Sequence, residues 1–367
     1  MRKVKLGEYV KIRTGKLDAN ASSENGKYPF FTCSVTPLKI DTYSYDCECV
    51  LVAGNGDLNV KYYNGKFDAY QRTYIIESKD KEILTVPYLY SFLDKYVETL
   101  RGQAIGGVIK YIKLGNLTDA LIPLPTIEEQ EKIVEKLDKV SGLIEKRKTQ
   151  LEKLDLLIKS RFIEMFGDIK TGNYKFETRK LGEVAEVGSS HRVFTTEFVE
   201  AGIPFYRGTE IGELANGIKP ENPYRITKEH YDRLASDETK PQTGDLLMPS
   251  ICNKGQVWMV DTAEPFYYKD GRVLCISPNR KLFNCKYLEQ FMREKTLVEY
   301  PKLGSGSTFA EFKIFLLKDI DILVPPIELQ NEFAEFVKLI DKSKFEIQKS
   351  LEKLEILKKS LMQQYFG

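Results

Sequence analysis

The stretch LEKLDLLIKSRFIEMFG at residues 151–167 returns as LEKLEILKKSLMQQYFG at residues 351–367. Setting residue n against n+200 aligns 128–167 with 328–367 without a gap, and 12 of the 40 positions are identical. The motif Lys-Leu-Gly-Glu opens both copies, at 5–8 and at 180–183, so the second copy holds 25 more residues (200 − 175). A repeat of this length predicts that a variable domain followed by a helix occurs twice.

Both helical segments carry apolar residues at steps of three and four, the spacing of a coiled-coil seam. Arginines interrupt the first seam at 147 and 161, and lysines interrupt the second at 344 and 358. Antiparallel pairing of the two seams would place one variable domain at each end of a rod about 60 Å long. In the alternative, each helix packs only on its own domain. The seam residues are Ile133, Leu137, Val140, Ile144, Leu151, Leu154, Ile158 and Met165 in the first helix, and Phe333, Val337, Ile340, Ile347, Leu351, Leu354, Leu361 and Tyr365 in the second.

The variable domains have mixed, strand-rich patterns. Strands are predicted at residues 28–33, 49–53, 74–76, 203–208, 245–248 and 257–260, and short helices at 88–100 and 286–298. Asn55-Gly56-Asp57 and Asn64-Gly65-Lys66 are typical of turns. The predicted fold class is α+β, with two such domains joined by two long helices in an intramolecular antiparallel coiled coil with approximate two-fold symmetry. The expected boundaries are 1–123, 124–167, 168–324 and 325–367.

Composition narrows the classes of function. The chain has 55 Lys and Arg against 53 Asp and Glu, so its charge alone does not mark a nucleic-acid-binding protein. With two histidines and six cysteines but no Cys-x-x-Cys, we expect reduced thiols and neither a zinc site nor nucleophilic catalysis. The sequence lacks both the ~20-residue apolar run that spans a bilayer and the pattern of a signal peptide, so we expect a cytoplasmic protein with no membrane partner.

A loose pattern of acids and a lysine suggests one catalytic alternative. Asp68, Glu77 and Lys79 have the outline of a magnesium-dependent nuclease site, in which paired acids hold the metal and lysine polarises the phosphate. Residues 77–82 also fit a solvated turn after a strand, because acids and lysines dominate them. We therefore expect no chemistry from this chain itself.

Repeated junction motifs connect the chain to a known family. Ile-Pro-Leu-Pro-Thr-Ile-Glu-Glu-Gln at 122–130 and Val-Pro-Pro-Ile-Glu-Leu-Gln at 324–330 precede the two helices. Together with the openings at 5–8 and 180–183, Ile-Pro-Phe-Tyr-Arg-Gly at 203–208 and Gly-Ser-Gly-Ser-Thr-Phe at 304–309, they resemble the specificity subunits of type I restriction-modification systems. The first copy departs from this pattern, since Gly-Gly-Val-Ile-Lys stands at 106–110.

The resemblance implies a non-catalytic reader of double-stranded DNA. Each variable domain would be a target-recognition domain for one half of a split, asymmetric sequence, and the coiled coil would fix the spacing. Two adenine-N6 methyltransferase subunits would dock on the helices, and a restriction and translocase subunit would join them. No cofactor is expected in this chain; S-adenosylmethionine, ATP and Mg²⁺ would belong to the partner subunits.

Loop residues with hydrogen-bonding side chains are the candidates for DNA contact, because Arg and Asn or Gln make most bidentate contacts with bases. The turn at 304–308 suits close approach to a phosphate, or is only a flexible loop. The rival to DNA recognition is a coiled-coil adaptor that joins other proteins without DNA specificity. The candidates are Asn55, Asn59, Tyr70, Gln71, Arg72 and Gln103 in the first domain, and Ser189, Ser190, His191, Arg192, Arg207, Asn253, Lys254, Gln256, Ser305, Ser307 and Thr308 in the second.

Overall fold

The computed structural model describes residues 2–235, 240–304 and 310–367. The chain divides into two compact units, each containing one variable domain and part of both long helices. Unit 1 comprises Met1–Leu151 and Glu346–Gly367, and unit 2 comprises Glu152–Phe345. Within the described ranges, no helix is long and apolar enough to cross a membrane.

Unit 1 is built on a six-stranded sheet with the order β2-β7-β5-β6-β3-β4. The central strand β5 is buried on both faces: Val50 and Val52 pack toward α2, and Cys49 and Leu51 pack in a second core with Phe67. This arrangement follows from the period of two along a strand. The elements are β1 (Lys3–Lys5), α1 (Leu6–Tyr9), β2 (Val10–Thr14), β3 (Tyr28–Phe31), β4 (Leu38–Ile40), β5 (Tyr45–Ala53), β6 (Val60–Ala69), β7 (Thr73–Ser78), α2 (Val86–Gln103), α3 (Leu114–Thr118), β8 (Leu121–Pro123) and α4 (Ile127–Phe166).

Unit 2 contains the end of α4, a second domain with the same core topology, and the start of the last helix. Two 3₁₀ helices lie at Thr195–Glu197 and Tyr300–Leu303. The remaining elements are β9 (Gly167–Asp168), β10 (Asn173–Tyr174), β11 (Thr178–Lys180), α5 (Leu181–Val184), β12 (Ala185–Gly188), β13 (Ile203–Tyr206), α6 (Gly208–Ala215), β14 (Tyr224–Ile226), α7 (Lys228–Leu234), β15 (Leu246–Pro249), β16 (Trp258–Met259), β17 (Tyr267–Tyr268), β18 (Val273–Pro278), α8 (Cys285–Glu299), α9 (Ile314–Lys318), β19 (Asp321–Leu323) and α10 (Ile327–Phe366).

The two domains share strand order. The order β12-β18-β15-β16 in unit 2 repeats β2-β7-β5-β6 in unit 1. The antiparallel pair β13 and β14 joins β17 in parallel, as β3 and β4 join β6. The short strands β16 and β17 thus take the place of the long strand β6. Most of the additional residues of the second copy lie before β15, where α6 and α7 have no counterpart in unit 1.

The predicted turn at Asn64-Gly65-Lys66 is wrong. These residues lie inside β6, where Gly65 pairs with Cys47 of β5. Gly65 has a φ of +134°, which glycine adopts readily within a strand. The local preference of Asn-Gly for a turn is therefore weaker than the continuous pairing of β6 with β5. That pairing involves a distant segment, so residues 64–66 alone do not predict it.

In unit 1, the end of α10 packs on the start of α4. Val140, Ile144 and Leu351 form a buried cluster, with Leu151, Leu354 and Leu361 half-buried against it. Nearer the domain, Ile133 and Leu137 join Met362 and Phe366 in the core that also contains α2. The start of one helix thus meets the end of the other, which is antiparallel pairing.

In unit 2, the end of α4 packs on the start of α10 in the same sense. Ile158, Phe162 and Phe166 share a core with Phe333 and Val337. Neither phenylalanine of α4 lies at a predicted seam position, because the spacing places the seam at 158 and 165. Leu154, Met165, Ile340, Ile347 and Tyr365 are half-buried in their respective units.

Two of the cations that interrupt the seams pair with acids of the opposite helix. In unit 2, Arg161 Nη2 donates to Glu332 Oε1 at 2.7 Å, and Lys344 Nζ donates to Asp155 Oδ1 at 2.6 Å.

The predicted fold class, including the antiparallel pairing of the helices, is confirmed. The proposed domain boundaries stay a prediction, because the compact units divide both helices near their middles.

The seam predicts a difference between two apolar residues of α10. Leu351→Ala removes a side chain that is 6% exposed and should lower the free energy of unfolding by about 2–3 kcal/mol, since a cavity forms. Ile356→Ala, at a side chain 69% exposed, should change it by less than about 0.5 kcal/mol. Urea titration followed by circular dichroism measures both, and equal losses would contradict the assigned seam.

Candidate nucleic-acid interface

Backbone hydrogen bonds join three loops of unit 1. The Gly54 N–H donates to the Arg72 carbonyl at 2.8 Å, and the Gly54 carbonyl accepts from the Ile112 N–H at 2.9 Å. The Gly56 N–H donates to the Lys110 carbonyl at 2.9 Å. The loop after β5, the turn between β6 and β7, and the loop between α2 and α3 therefore lie together, and they bring Asn55 close to the segment 70–72.

The candidate side chains of the first domain differ in exposure and in the hydrogen bonds that they already make. Arg72 is exposed and has no ion pair among the residues that the structure describes. Gln71 is also exposed, and its amide donates to Asp18 Oδ1 at 2.9 Å. Gln103 is exposed and accepts from Asn116 Nδ2 at 3.1 Å. Asn55 and Tyr70 are half-buried.

The side-chain amide of Asn59 is hydrogen-bonded within the fold. Its Nδ2 donates to the Cys33 and Asp57 carbonyls, both at 2.8 Å, and its Oδ1 accepts from Lys61 Nζ. Burial lowers the pKa of Lys61. Asn59 therefore orders the loops that present its neighbours, and its amide is already engaged.

The joined loops of unit 1 are predominantly basic. Arg72 and Lys110 are exposed, whereas Arg101 is held by Asp57 at 3.4 Å and by the Leu58 carbonyl at 2.8 Å. A basic surface with exposed amide and guanidinium groups suits the phosphates and base edges of DNA.

Unit 2 repeats the loop network of unit 1. The Ser250 N–H donates to the Arg272 carbonyl at 2.9 Å, and the Ser250 carbonyl accepts from the Phe312 N–H at 2.8 Å. Ser250 thus occupies the place of Gly54. Arg272 and Phe312 stand 200 residues after Arg72 and Ile112, which extends the offset of the repeat into the domains.

Two second-domain candidates, Ser189 and Ser190, bond to the segment 268–273 that contains Arg272, and two more, His191 and Arg192, follow them in the chain. Ser189 Oγ donates to the Val273 carbonyl at 2.8 Å and accepts from the Gly271 N–H at 2.8 Å. Ser190 Oγ donates to the Tyr268 carbonyl at 2.5 Å. Both serines therefore position the loop. His191 and Arg192, which follow them, have exposed side chains.

The loop after β15 carries three more candidates. Asn253 and Lys254 are exposed, and Gln256 Oε1 accepts from the Lys254 N–H at 3.0 Å. This loop follows Ser250 directly, so it lies beside Arg272. The candidates Ser305, Ser307 and Thr308 lie outside the described residues.

Arg207 has a role inside the second domain. Its guanidinium lies 4.5 Å from the centre of the Tyr224 ring, and its Nη2 donates to Glu210 Oε1 at 2.7 Å. Burial raises the pKa of Glu210, but the Arg207 side chain and backbone outweigh it, so the pKa lies below the ordinary 4.5. These contacts occupy the guanidinium donors that would otherwise be available to hydrogen-bond with a base edge.

The residues of the nuclease alternative are engaged separately. Asp68 accepts from Ser44 Oγ at 2.6 Å, Glu77 pairs with Arg13 at 2.8 Å, and Lys79 Nζ donates to the Gly7 and Glu8 carbonyls, both at 3.0 Å. The part of the chain that the structure describes contains no group of three His, Cys, Asp or Glu residues placed to hold a metal ion. The geometry gives the nuclease alternative no support.

Arg272 is a further candidate, which the loop network of unit 2 indicates. Its guanidinium is mostly exposed and pairs with Glu311 at 2.6 Å. Extending the offset of 200 back from residue 106 to residue 72 would have found it, because Arg72 was already a candidate.

Comparison with known proteins gives one consistent result. Residues 1–154 and 173–358 match the family model described as type I restriction modification DNA specificity domain. The chain is 42% identical over 156 residues to the type I restriction enzyme EcoDI specificity subunit of Escherichia coli, covering 42% of this chain and 34% of that protein, about a third of its length. It is 24% identical over 392 residues to the type I restriction enzyme MjaVIII specificity subunit of Methanocaldococcus jannaschii, covering 98% and 90%. The crystal structure of a type I restriction-modification system S subunit from M. genitalium aligns with 100% of this chain and 96% of that chain, at a TM-score of 0.64 and 16% identity, which shows a shared fold.

The Arg207–Glu210 pair predicts a stability change that depends on pH. Arg207→Ala removes the guanidinium partner of the buried Glu210 carboxylate, which keeps only backbone donors, and should lower the free energy of unfolding by about 1–3 kcal/mol at pH 7. Because the pKa of Glu210 is lowered by folding, the pair contributes fully above about pH 4.5 and its contribution is lost as the pH falls through the folded pKa. The difference between wild type and variant should therefore shrink toward acid. Denaturant titrations at pH 7, 5 and 4 measure it, with the exposed Arg192→Ala as control, and a difference that grows toward acid would contradict the assignment.

Proposed function

We propose a function from one premise: the chain belongs to the type I restriction-modification DNA specificity family. It is a non-catalytic subunit that recognises double-stranded DNA, and each variable domain binds one half of a split target. The observation that carries this proposal is the duplicated loop network, which places Arg72 in unit 1 and Arg272 in unit 2 at equivalent positions beside other polar, exposed side chains.

The two half-sites should differ in sequence. The backbone bonds of the two networks correspond, but the side chains beside them do not: Asn55 and Gln71 stand in unit 1, whereas His191, Asn253 and Lys254 stand in unit 2. Because base identity is read by side-chain donors and acceptors, equivalent scaffolds with different side chains favour an asymmetric target.

The paired helices support a fixed spacing between the half-sites. Each helix has 40 residues and a length of about 60 Å, which corresponds to at most about 18 base pairs at 3.4 Å each. Apolar contacts join the two helices within each unit, and ionic contacts also join them in unit 2. Rigid spacing between two recognition modules makes the gap a property of the protein.

Two methyltransferase subunits are proposed to dock on the helices. Leu156 and Leu157 are 60% and 46% exposed, and their counterparts at n+200, Ile356 and Leu357, are 69% and 45% exposed. Exposed apolar pairs at one register are suited to two copies of one partner. S-adenosylmethionine would serve the methyltransferases, and ATP and Mg²⁺ would serve a restriction subunit in the same complex.

The adaptor alternative requires no DNA specificity. Selection from random-sequence duplexes by the purified complex distinguishes the two functions. Enrichment of a bipartite motif supports DNA recognition, and affinity that does not depend on sequence supports the adaptor. Mapping of methylated adenines in the host genome, with and without the gene, identifies the target independently.

The equivalent arginines predict losses confined to one half of the target. Arg72→Ala and Arg272→Ala should each weaken DNA binding about tenfold and lower the slope of log K against log salt by about 1 for a phosphate contact. Repeated selection should relax specificity only in the half-site of the changed domain if the arginine contacts a base. Lys146→Ala, an exposed cation on α4, is the control. Unchanged binding by both arginine variants would contradict their placement at the DNA.

The helix surface predicts the number of docked methyltransferases. Leu157→Asp or Leu357→Asp should each remove one of two copies, because a carboxylate replaces an apolar contact at one of two matching surfaces. Leu143→Asp is the control, since Leu143 is 45% exposed but its counterpart at n+200 is Ser343. Native mass spectrometry of the assembled complex counts the copies. Two copies on both variants would contradict the proposed surface.

A further inference from the structure

A buried glutamine joins domain to helix in unit 1. Gln130, in the first turn of α4, is 0% exposed. Its Nε2 donates to the Ile83 carbonyl at 2.8 Å and to the Pro125 carbonyl at 3.1 Å, and its Oε1 accepts from the Thr85 N–H at 3.0 Å. Thr85 is the N-cap of α2. One side chain therefore connects α4, the strand-to-helix junction and the start of the domain's main helix.

Unit 2 contains the same arrangement. Gln330 is 0% exposed at the start of α10. Its Nε2 donates to the Leu282 carbonyl at 2.9 Å and to the Pro325 carbonyl at 2.8 Å, and its Oε1 accepts from the Asn284 N–H at 2.9 Å. Asn284 is the N-cap of α8.

We propose that Gln130 and Gln330 are positioning residues that hold each recognition domain in one orientation on its spacer helix, and that they thereby set which gap between the half-sites is bound. This inference rests on the proposed DNA-recognition function. The two glutamines do not contact DNA, and they act through the orientation of the loops that do.

The chemistry of the amide explains why glutamine stands at both positions. Each glutamine uses both N–H donors on two backbone carbonyls and its carbonyl oxygen on a backbone N–H, so a single buried side chain satisfies three backbone groups. Glutamate could not donate, and asparagine is one methylene shorter. An isosteric apolar residue would fill the space but leave three backbone groups without partners.

A tyrosine makes a second hydrogen bond between each domain and the strand before its long helix. The motion left for the glutamine to restrain is therefore rotation of the domain about the junction. Tyr88 of α2 donates to the Pro123 carbonyl at 2.9 Å, and Tyr287 of α8 donates to the Leu323 carbonyl at 3.2 Å. The tyrosines hold the last strand before each helix, whereas the glutamines hold the first turn of the helix itself. Without the glutamine, each domain keeps its attachment to the strand and its apolar packing on the helices, but it loses the polar restraint on tilting about the short junction.

The experiment compares Gln130→Met and Gln330→Met with wild type on a set of duplexes. The half-sites found by selection are separated by the native gap and by gaps one and two base pairs shorter or longer. In each variant, the ratio of affinity for the native gap to affinity for the neighbouring gaps should fall about tenfold, because a restraint worth one or two buried hydrogen bonds is lost. Gln150→Met, at an exposed glutamine of α4, is the matched control.

A merely structural role would lower binding to all gaps by the same factor and leave the ratio unchanged, and that result overturns the inference.

A measurement without DNA separates this inference from the proposed function. Spin labels attached through non-natural residues at the exposed positions 39 and 146 report the distance between the first domain and α4. The distance distribution should broaden in Gln130→Met and not in Gln150→Met. An unchanged width overturns the inference even if the wild-type chain binds no bipartite target.

Discussion

The apolar seam between α4 and α10 is the contact on which the rest of each unit depends. In unit 1 it continues from Val140 and Leu351 into the domain core, where Phe366 meets Tyr88 and Phe92 of α2. In unit 2, Phe166 and Phe333 meet Tyr287 of α8 in the same way. Each domain is therefore packed on the end of one helix and the start of the other. An isolated amphipathic helix of this length would leave its seam in water, so pairing and domain packing stabilise each other.

The arginines of the domains differ in whether their donors are already engaged by an acid. Where a guanidinium is paired with a buried carboxylate, as in Arg207 with Glu210, it stabilises the fold and its donors are occupied. Where it is exposed at the joined loops, as in Arg72, its donors remain available to a ligand, whereas Arg272 is exposed and also pairs with Glu311. The near-neutral total charge of the chain is compatible with DNA binding, because a few exposed cations on one set of loops supply the local field.

The shared scaffold and the loops proposed to contact DNA follow different constraints. Strand order and the backbone bonds around Gly54 and Ser250 are shared between the domains, although the second has long additions before β15. Backbone pairing tolerates many side chains, whereas base recognition depends on each one. A duplicated scaffold can therefore keep its packing on the helices while the side chains of its loops diverge.

The sequence by itself determined the repeat, the extent of the two helices and the polar character of the loops. Heptad spacing, proline junctions and turn residues are local signals, and they predicted antiparallel pairing because one chain had two seams to bury. Only the tertiary structure decided that Asn64-Gly65 lies within a strand, that Phe162 and Phe166 complete the seam, that Arg207 is held by Glu210, and that Gln130 and Gln330 connect domain to helix. Apart from the Arg207–Glu210 pair, whose members lie three residues apart, each of these outcomes depends on a partner far away in the chain, and the free energy of such a contact is absent from any local pattern.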